Sequence, residues 1–173
     1  MQRLQSRERS LSAIAPNSDA FRNEQRKYFL ILEKFLDRGT GFAPFDQPHR
    51  CREVLRLLRE STHADNWAIG PAVVMPNHFH AIFRHREGSS TCDLEAFLKR
   101  LKGRLARGMN RQMGRSGKFW QREWFDRWIR SADEFRRTVR YIRNNPIVAG
   151  VAKTHSAYSG YYAGDEGEDV FKG

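Results

Sequence analysis

The chain has 173 residues, 39% apolar and 29% charged, enough for one core under a charged shell. Lysine and arginine outnumber aspartate and glutamate 31 to 20, a net charge of +11. That balance points to a polyanion partner, and arginine forks suit phosphate better than lysine does. No apolar run reaches membrane-spanning length, the first residues lack the apolar block of a signal peptide, and Cys51 and Cys92 read as free thiols. A cytoplasmic protein with no membrane partner is expected.

Residues 1 to 25 are polar and basic without a period and read as a flexible arm. The apolar run from Tyr28 to Asp37 predicts the first strand, and the Gly- and Pro-containing stretch after it predicts a loop. Val54, Leu55, Leu57 and Leu58 between arginines predict an amphipathic helix over residues 51–61. Residues 66–75 predict a second strand, in which Pro71 implies an edge, a bulge or a late start at Ala72. Pro76-Asn77 is a tight turn and residues 78–84 a further strand, so the two strands form a hairpin. Residues 92–112 predict a helix with Leu94, Phe97, Leu98, Leu101 and Leu105 on one side. After a break at 114–118, the aromatic piece 119–129 is a short strand or irregular. Ser131 to Glu134 has capping-box form and starts a helix with Phe135, Val139 and Ile142 as its apolar stripe, ended by Pro146. Residues 151–173 form a tail. The order predicts an α+β fold, a two-layer sandwich with a ferredoxin-like antiparallel sheet and helices on one face. A catalytic domain is expected over residues 26–150.

Two histidines stand out in the stretch VVMPNHFHAIFR, residues 73–84. Side chains two apart on a strand share a face, so His78 and His80 project together while Phe79 points to the core. That geometry suits two imidazole ligands to one metal, although histidine pairs also arise by chance on a solvated sheet face. His49, His63, His85 and His155 form no such pair, and parity puts His85 on the Phe79 face. Tyr141 and Asn145 are four apart on the last helix and share a face outside its apolar stripe. The Asn145 amide oxygen is a hard donor that would complete a set suited to Mg²⁺ or Mn²⁺. A helix-end asparagine and a half-buried tyrosine are the plainer alternatives.

MPNHFH, a basic helix, GKFWQREWFDRWIR and then YIRNNPIVAG, in that order, resemble the one-tyrosine HUH transposases, and more narrowly the REP-associated tyrosine transposases of bacteria. The resemblance covers about residues 28–163 and includes EKFLDRGTGFAPF, which is similar to an element of some members. It implies that His78 and His80 are the two metal ligands, Asn145 the third polar ligand and Tyr141 the nucleophile. In related insertion-sequence transposases a glutamine takes the place of this asparagine. The resemblance further implies a ferredoxin-like fold with the tyrosine helix near the histidine-bearing sheet. The implied activity is metal-dependent nicking and rejoining of single-stranded DNA at palindromic hairpins through a 5′-phosphotyrosine.

The phosphate contacts expected on the basic stretch are Lys99, Arg100, Lys102, Arg104, Arg107, Arg111, Arg115 and Lys118, some of which belong to a solvated helix face. Trp120, Gln121, Arg122, Arg140 and Arg143 complete the expected DNA-binding set. Trp120, Trp124, Phe125 and Trp128 lie among arginines and are read as base-stacking or core residues. Tyr158, Tyr161 and Tyr162 are rival tyrosines in a stretch with no helix to fix them. A non-catalytic DNA or RNA hairpin binder is the alternative function. A monomer is expected, with a dimer as the other possibility.

Overall fold

The computed structural model describes residues 18–37, 41–86, 93–121 and 125–165. Residues 1–17 of the expected arm, Cys92, Arg122 and Trp124 lie outside that set. The chain divides into two compact units, Met1–Phe42 and Ala43–Gly173.

In the first unit a helix, α1, spans Asp19–Asp37. The strand predicted from Tyr28 is therefore the second half of a helix, and the last residues of the predicted arm are its first turns. A contiguous apolar run cannot distinguish strand from helix by period; length and the flanks decide. Phe21, Tyr28, Leu32 and Leu36 keep helical spacing over 19 residues. Ser18 caps the start, its Oγ accepting from the Phe21 N–H at 3.1 Å.

The second unit holds α2 (Pro48–Ala64), β1 (Trp67–Val74), β2 (Phe79–His85), α3 (Leu94–Gln112), α4 (Ala132–Val148) and β3 (Tyr161–Tyr162). The strands form one antiparallel sheet in the order β2-β1-β3. This is the α+β class that the element order predicts.

β1 carries Gly70 and Pro71 in the centre of the sheet, where a proline costs a ladder hydrogen bond. The register shift between Ile69 and Ala72 shows how that is accommodated: two residues of β1 oppose one of β2 in a β-bulge. The bulge also resets the side-chain phase. Trp67 and Ile69 before it, and Ala72 and Val74 after it, all join the same core cluster. Val73 alone of that run joins the cluster on the other face. Phe79, Ala81 and Phe83 of β2 pack with the first cluster, beneath α2 and α3. Trp67 stacks on Phe97 of α3 with ring centroids 4.5 Å apart. Gly108 lets the two helices close up, since a Cβ there would lie 2.6 Å from Leu57 Cδ1 of α2.

α4 lies on the other face. Its stripe Phe135, Val139 and Ile142 packs with Val73, Met75 and Ile82. Helices on one face thus describes α2 and α3, while α4 crosses the face that bears the histidines. The Ser131 half of the capping box forms, its Oγ accepting from the Glu134 N–H at 3.2 Å, while Glu134 Oε2 reaches one residue past the cap and accepts from the Arg130 N–H at 2.9 Å. Pro146 does not end the helix. Its missing N–H falls in the last turn, where one lost bond is cheap, and the helix runs to Val148. Gly150, at φ +71°, makes the stop. The Gly150 N–H donates to the Ile147 carbonyl at 3.0 Å and the Val151 N–H to the Pro146 carbonyl at 2.9 Å, a Schellman motif.

The stretch read as a tail is tied to the sheet. The Val74 N–H donates to the Gly160 carbonyl at 2.8 Å, and the Asp165 N–H donates to the Ile69 carbonyl at 3.2 Å. A Cβ on Gly160 would overlap the Val74 carbonyl oxygen, a backbone atom that cannot swing away. We expect Gly160→Ala to cost on the order of 2 kcal/mol and to lower Tm by roughly 5 °C. Thermal unfolding checks this, and a melt indistinguishable from wild type would refute the tight docking of β3.

Candidate active site

The hairpin turn places the first histidine. The Met75 N–H donates to the His78 carbonyl at 2.8 Å, and the Phe45 N–H holds the Pro76 carbonyl at 2.9 Å. β2 then alternates without a bulge on its own side, so His78, His80 and Ile82 share a face and Phe79, Ala81 and Phe83 the opposite one. His85 follows parity and packs edge-on against Trp67 at 5.0 Å.

The two imidazoles meet edge to face with ring centroids 4.9 Å apart. His80 meets Tyr141 the same way at 5.2 Å, and the Tyr141 hydroxyl lies 3.4 Å from His80 Nε2. The Asn145 amide donates to that hydroxyl at 2.9 Å. Residues 61 positions apart in sequence are thus joined into one cluster of two imidazoles, a phenol and an amide.

His78 is only 9% exposed and Asn145 6%. His78 Nδ1 sits 2.7 Å from Asn77 Oδ1, an acceptor, which puts the ring proton on Nδ1 and the lone pair on Nε2. Among the described residues neither His78 Nε2 nor Asn145 Oδ1 has a hydrogen-bond partner. A buried acceptor left unpaired costs about 1–3 kcal/mol, so two in one cluster indicate a site built for something else. Burial, with His80 adding to it, pushes the His78 imidazole down to about 3, so the ring is neutral at pH 7. Two imidazole nitrogens and an amide oxygen are a donor set that fits a divalent cation, with nitrogen favouring Mn²⁺ over Mg²⁺. Among the described residues no group of three His, Cys, Asp or Glu side chains could hold an ion, so the amide would have to serve.

Asn77 was visible in the sequence only as a turn residue. Its place next to a histidine that needs orienting is the signal that reveals its second role.

The rival tyrosines are fixed, though by the sheet edge and not by a helix. The Tyr158 hydroxyl donates to the Val74 carbonyl at 2.8 Å, and its phenol is pushed up by burial and by Cys51. Tyr162 bonds Asp165 and is pushed up to about 12 by burial and that carboxylate. Tyr161 packs edge-on against His155 at 5.1 Å.

The expected DNA contacts separate into two groups. Arg100 and Arg104 of α3 both pair with Asp65 at the end of α2, Arg100 at 3.2 Å. Lys102 donates to the Gln121 carbonyl at 3.3 Å. Trp120 packs against Phe45 and Phe79 with centroids 5.9 Å and 5.8 Å away, and its N–H donates to the Lys102 carbonyl at 2.8 Å. Arg115 reaches the Lys118 carbonyl at 3.3 Å. Lys99, Arg107, Arg111, Lys118 and Gln121 are exposed. All of these lie on the layer across the sheet from the histidines or on the segment beside it. Arg140, exposed, and Arg143, half-buried, flank Tyr141 on α4 itself.

An antiparallel sheet with a paired-histidine face, crossed by a helix that offers a tyrosine and an amide, defines a class of polar cluster suited to a cation and a phosphate. The family model for IS200-like transposases matches residues 45–145. The chain belongs to that family. Its action is therefore transposase-like DNA processing, with DNA as the partner. Comparison with curated proteins and with solved structures gave no match.

The His78 ring generates a pH dependence. Its folded value lies below the unfolded value of about 6.5, so the unfolded chain binds the proton more readily. Stability is full above pH 6.5 and declines as pH falls from there toward 3, by up to about 1.4 kcal/mol per pH unit. We expect the urea midpoint of chelator-treated wild type to fall between pH 7 and pH 5, and His78→Gln to remove this part of the fall. Parallel pH profiles would contradict the buried neutral ring.

Proposed function

We propose that this chain is a metal-dependent single-strand DNA nickase and strand transferase of the REP-associated kind, with Tyr141 as nucleophile. The observation that carries the reading is the joining of His78, His80, Tyr141 and Asn145 into one cluster with two buried, unpartnered acceptors. His78, His80 and Asn145 would hold Mg²⁺ or Mn²⁺. Such an ion, when bound, offsets charge on the scissile phosphate.

This chain's own groups do the rest. Tyr141 Oη attacks phosphorus in line with the 3′ oxygen. The Tyr–O–P bond forms, the P–O3′ bond breaks, and the electron pair leaves on O3′, which takes up a proton. The phenolic proton passes to solvent. The Asn145 N–H already points at Tyr141 Oη, where it stabilises the phenolate and fixes the attacking lone pair. Arg140 and Arg143 stand on either side to meet the phosphate. The products are a 5′-phosphotyrosine and a free 3′-OH, and attack by a 3′-OH reverses the step without ATP. The substrate is a hairpin with unpaired flanks, met in the cytoplasm by a monomer.

The test uses end-labelled single-stranded hairpin oligonucleotides with Mn²⁺ or with chelator, resolved on denaturing gels. A metal-dependent covalent adduct is expected. Tyr141→Phe should abolish it and His80→Ala should reduce it by at least about 10³-fold. Asn145→Ala should cost about 10–100-fold. Tight binding with no adduct, equal in wild type and Tyr141→Phe, would instead establish a non-catalytic hairpin binder. Among the phosphate contacts, Arg140→Ala should lower the salt slope of binding by about 1, whereas Arg104→Ala should act on stability through Asp65.

A further inference from the structure

We infer that the exposed indole of Trp128 is a stacking platform for an unpaired base of the DNA substrate. The inference rests on the reading above that the substrate is single-stranded.

Trp128 is 55% exposed, and among the described residues of its unit it is the only exposed Trp, Phe or Tyr. Its neighbours are anchored. Arg127 pairs with Glu134 at 3.3 Å and reaches Thr138 Oγ1 at 3.4 Å. Ile129 packs against the cluster of Phe135, Val139 and Ile142, which Tyr141 also joins. The ring is therefore held out from a fixed backbone and does not trail from a loose one.

The Arg127 anchor leads to the helix that carries Tyr141. Glu134, Thr138, Tyr141 and Asn145 follow i, i+4, i+7, i+11 spacing and form one stripe of α4. Thr138 is three residues before Tyr141, about 4.5 Å along the axis. Arg127 thus ties the backbone next to Trp128 to the stripe of α4 that also carries Tyr141. The Trp128 segment is basic in sequence: Arg127 and Arg130 adjoin it with Asp126 as the acid between positions 125 and 130, and Arg137 and Arg140 are exposed on α4. A flat apolar ring on an arginine-rich segment fits a base with its phosphates, which every base can satisfy through its π face. It suits a protein partner poorly, since a lone ring makes no apolar patch. Trp120, one of the aromatics read as base-stacking or core, spends its ring and N–H on the core.

The test measures fluorescence anisotropy with two labelled probes: one DNA hairpin that is blunt, and the same hairpin with an unpaired thymidine flank of about eight nucleotides. Wild type should bind the flanked probe more tightly. Trp128→Ala should weaken the flanked probe about tenfold while leaving the blunt probe and the salt slope unchanged. Trp128→Phe, which keeps a π face, should stay within about threefold of wild type. Equal binding of both probes by wild type, or an equal loss of both in Trp128→Ala, overturns the proposal, as does failure of phenylalanine to rescue. Binding is read without cleavage, so absence of a Tyr141 adduct would sink the nickase and leave this result standing.

Discussion

Strand β2 has to satisfy two layers with alternate residues. Phe79, Ala81 and Phe83 fill the core under α2 and α3, and this fixes which way His78, His80 and Ile82 face. A slip of one residue would turn the imidazoles into the core under α2 and α3 and turn Phe79 and Phe83 to the face that α4 crosses, at a cost of several kcal/mol in lost apolar burial. The core thereby sets the register of the site. The β1 bulge serves the same end from the neighbouring strand. Without its phase reset, either Trp67 and Ile69 or Ala72 and Val74 would point away from α2.

Much of this was legible from the sequence, because the informative signals were periodic. The hairpin, the two stripes of α3 and α4, the Ser131 cap and the shared face of Tyr141 and Asn145 follow from spacings of two, three and four. What escaped lacked a period. The run at Tyr28 is continuously apolar and reads equally as strand or helix. β3 is two residues long, too short for any alternation, and its attachment depends on backbone contact at Gly160. Pro146 misleads because its rule concerns helix interiors, and it stands in the final turn. The charge run on α3 was legible only in part. Composition shows that arginines are present but not that Asp65 already holds Arg100 and Arg104.

Those ion pairs change how the net charge of +11 should be read. The excess is a long-range field that draws in DNA from any direction and weakens with salt. Arg140, exposed, and Arg143, half-buried, adjoin Tyr141 in sequence on α4, a different element from the Asp65 pairs.

α4 is clamped at both ends: by the Ser131 cap and the Glu134 bonds at its start, and by the Gly150 stop and the strand after it at its finish. Between these anchors the Tyr141 backbone has little room to travel. If a DNA end is carried on that phenol, it rides on a stationary post. Lifting that post off the sheet would uncover Phe135, Val139 and Ile142 together, at about 1.5–3 kcal/mol for each buried side chain.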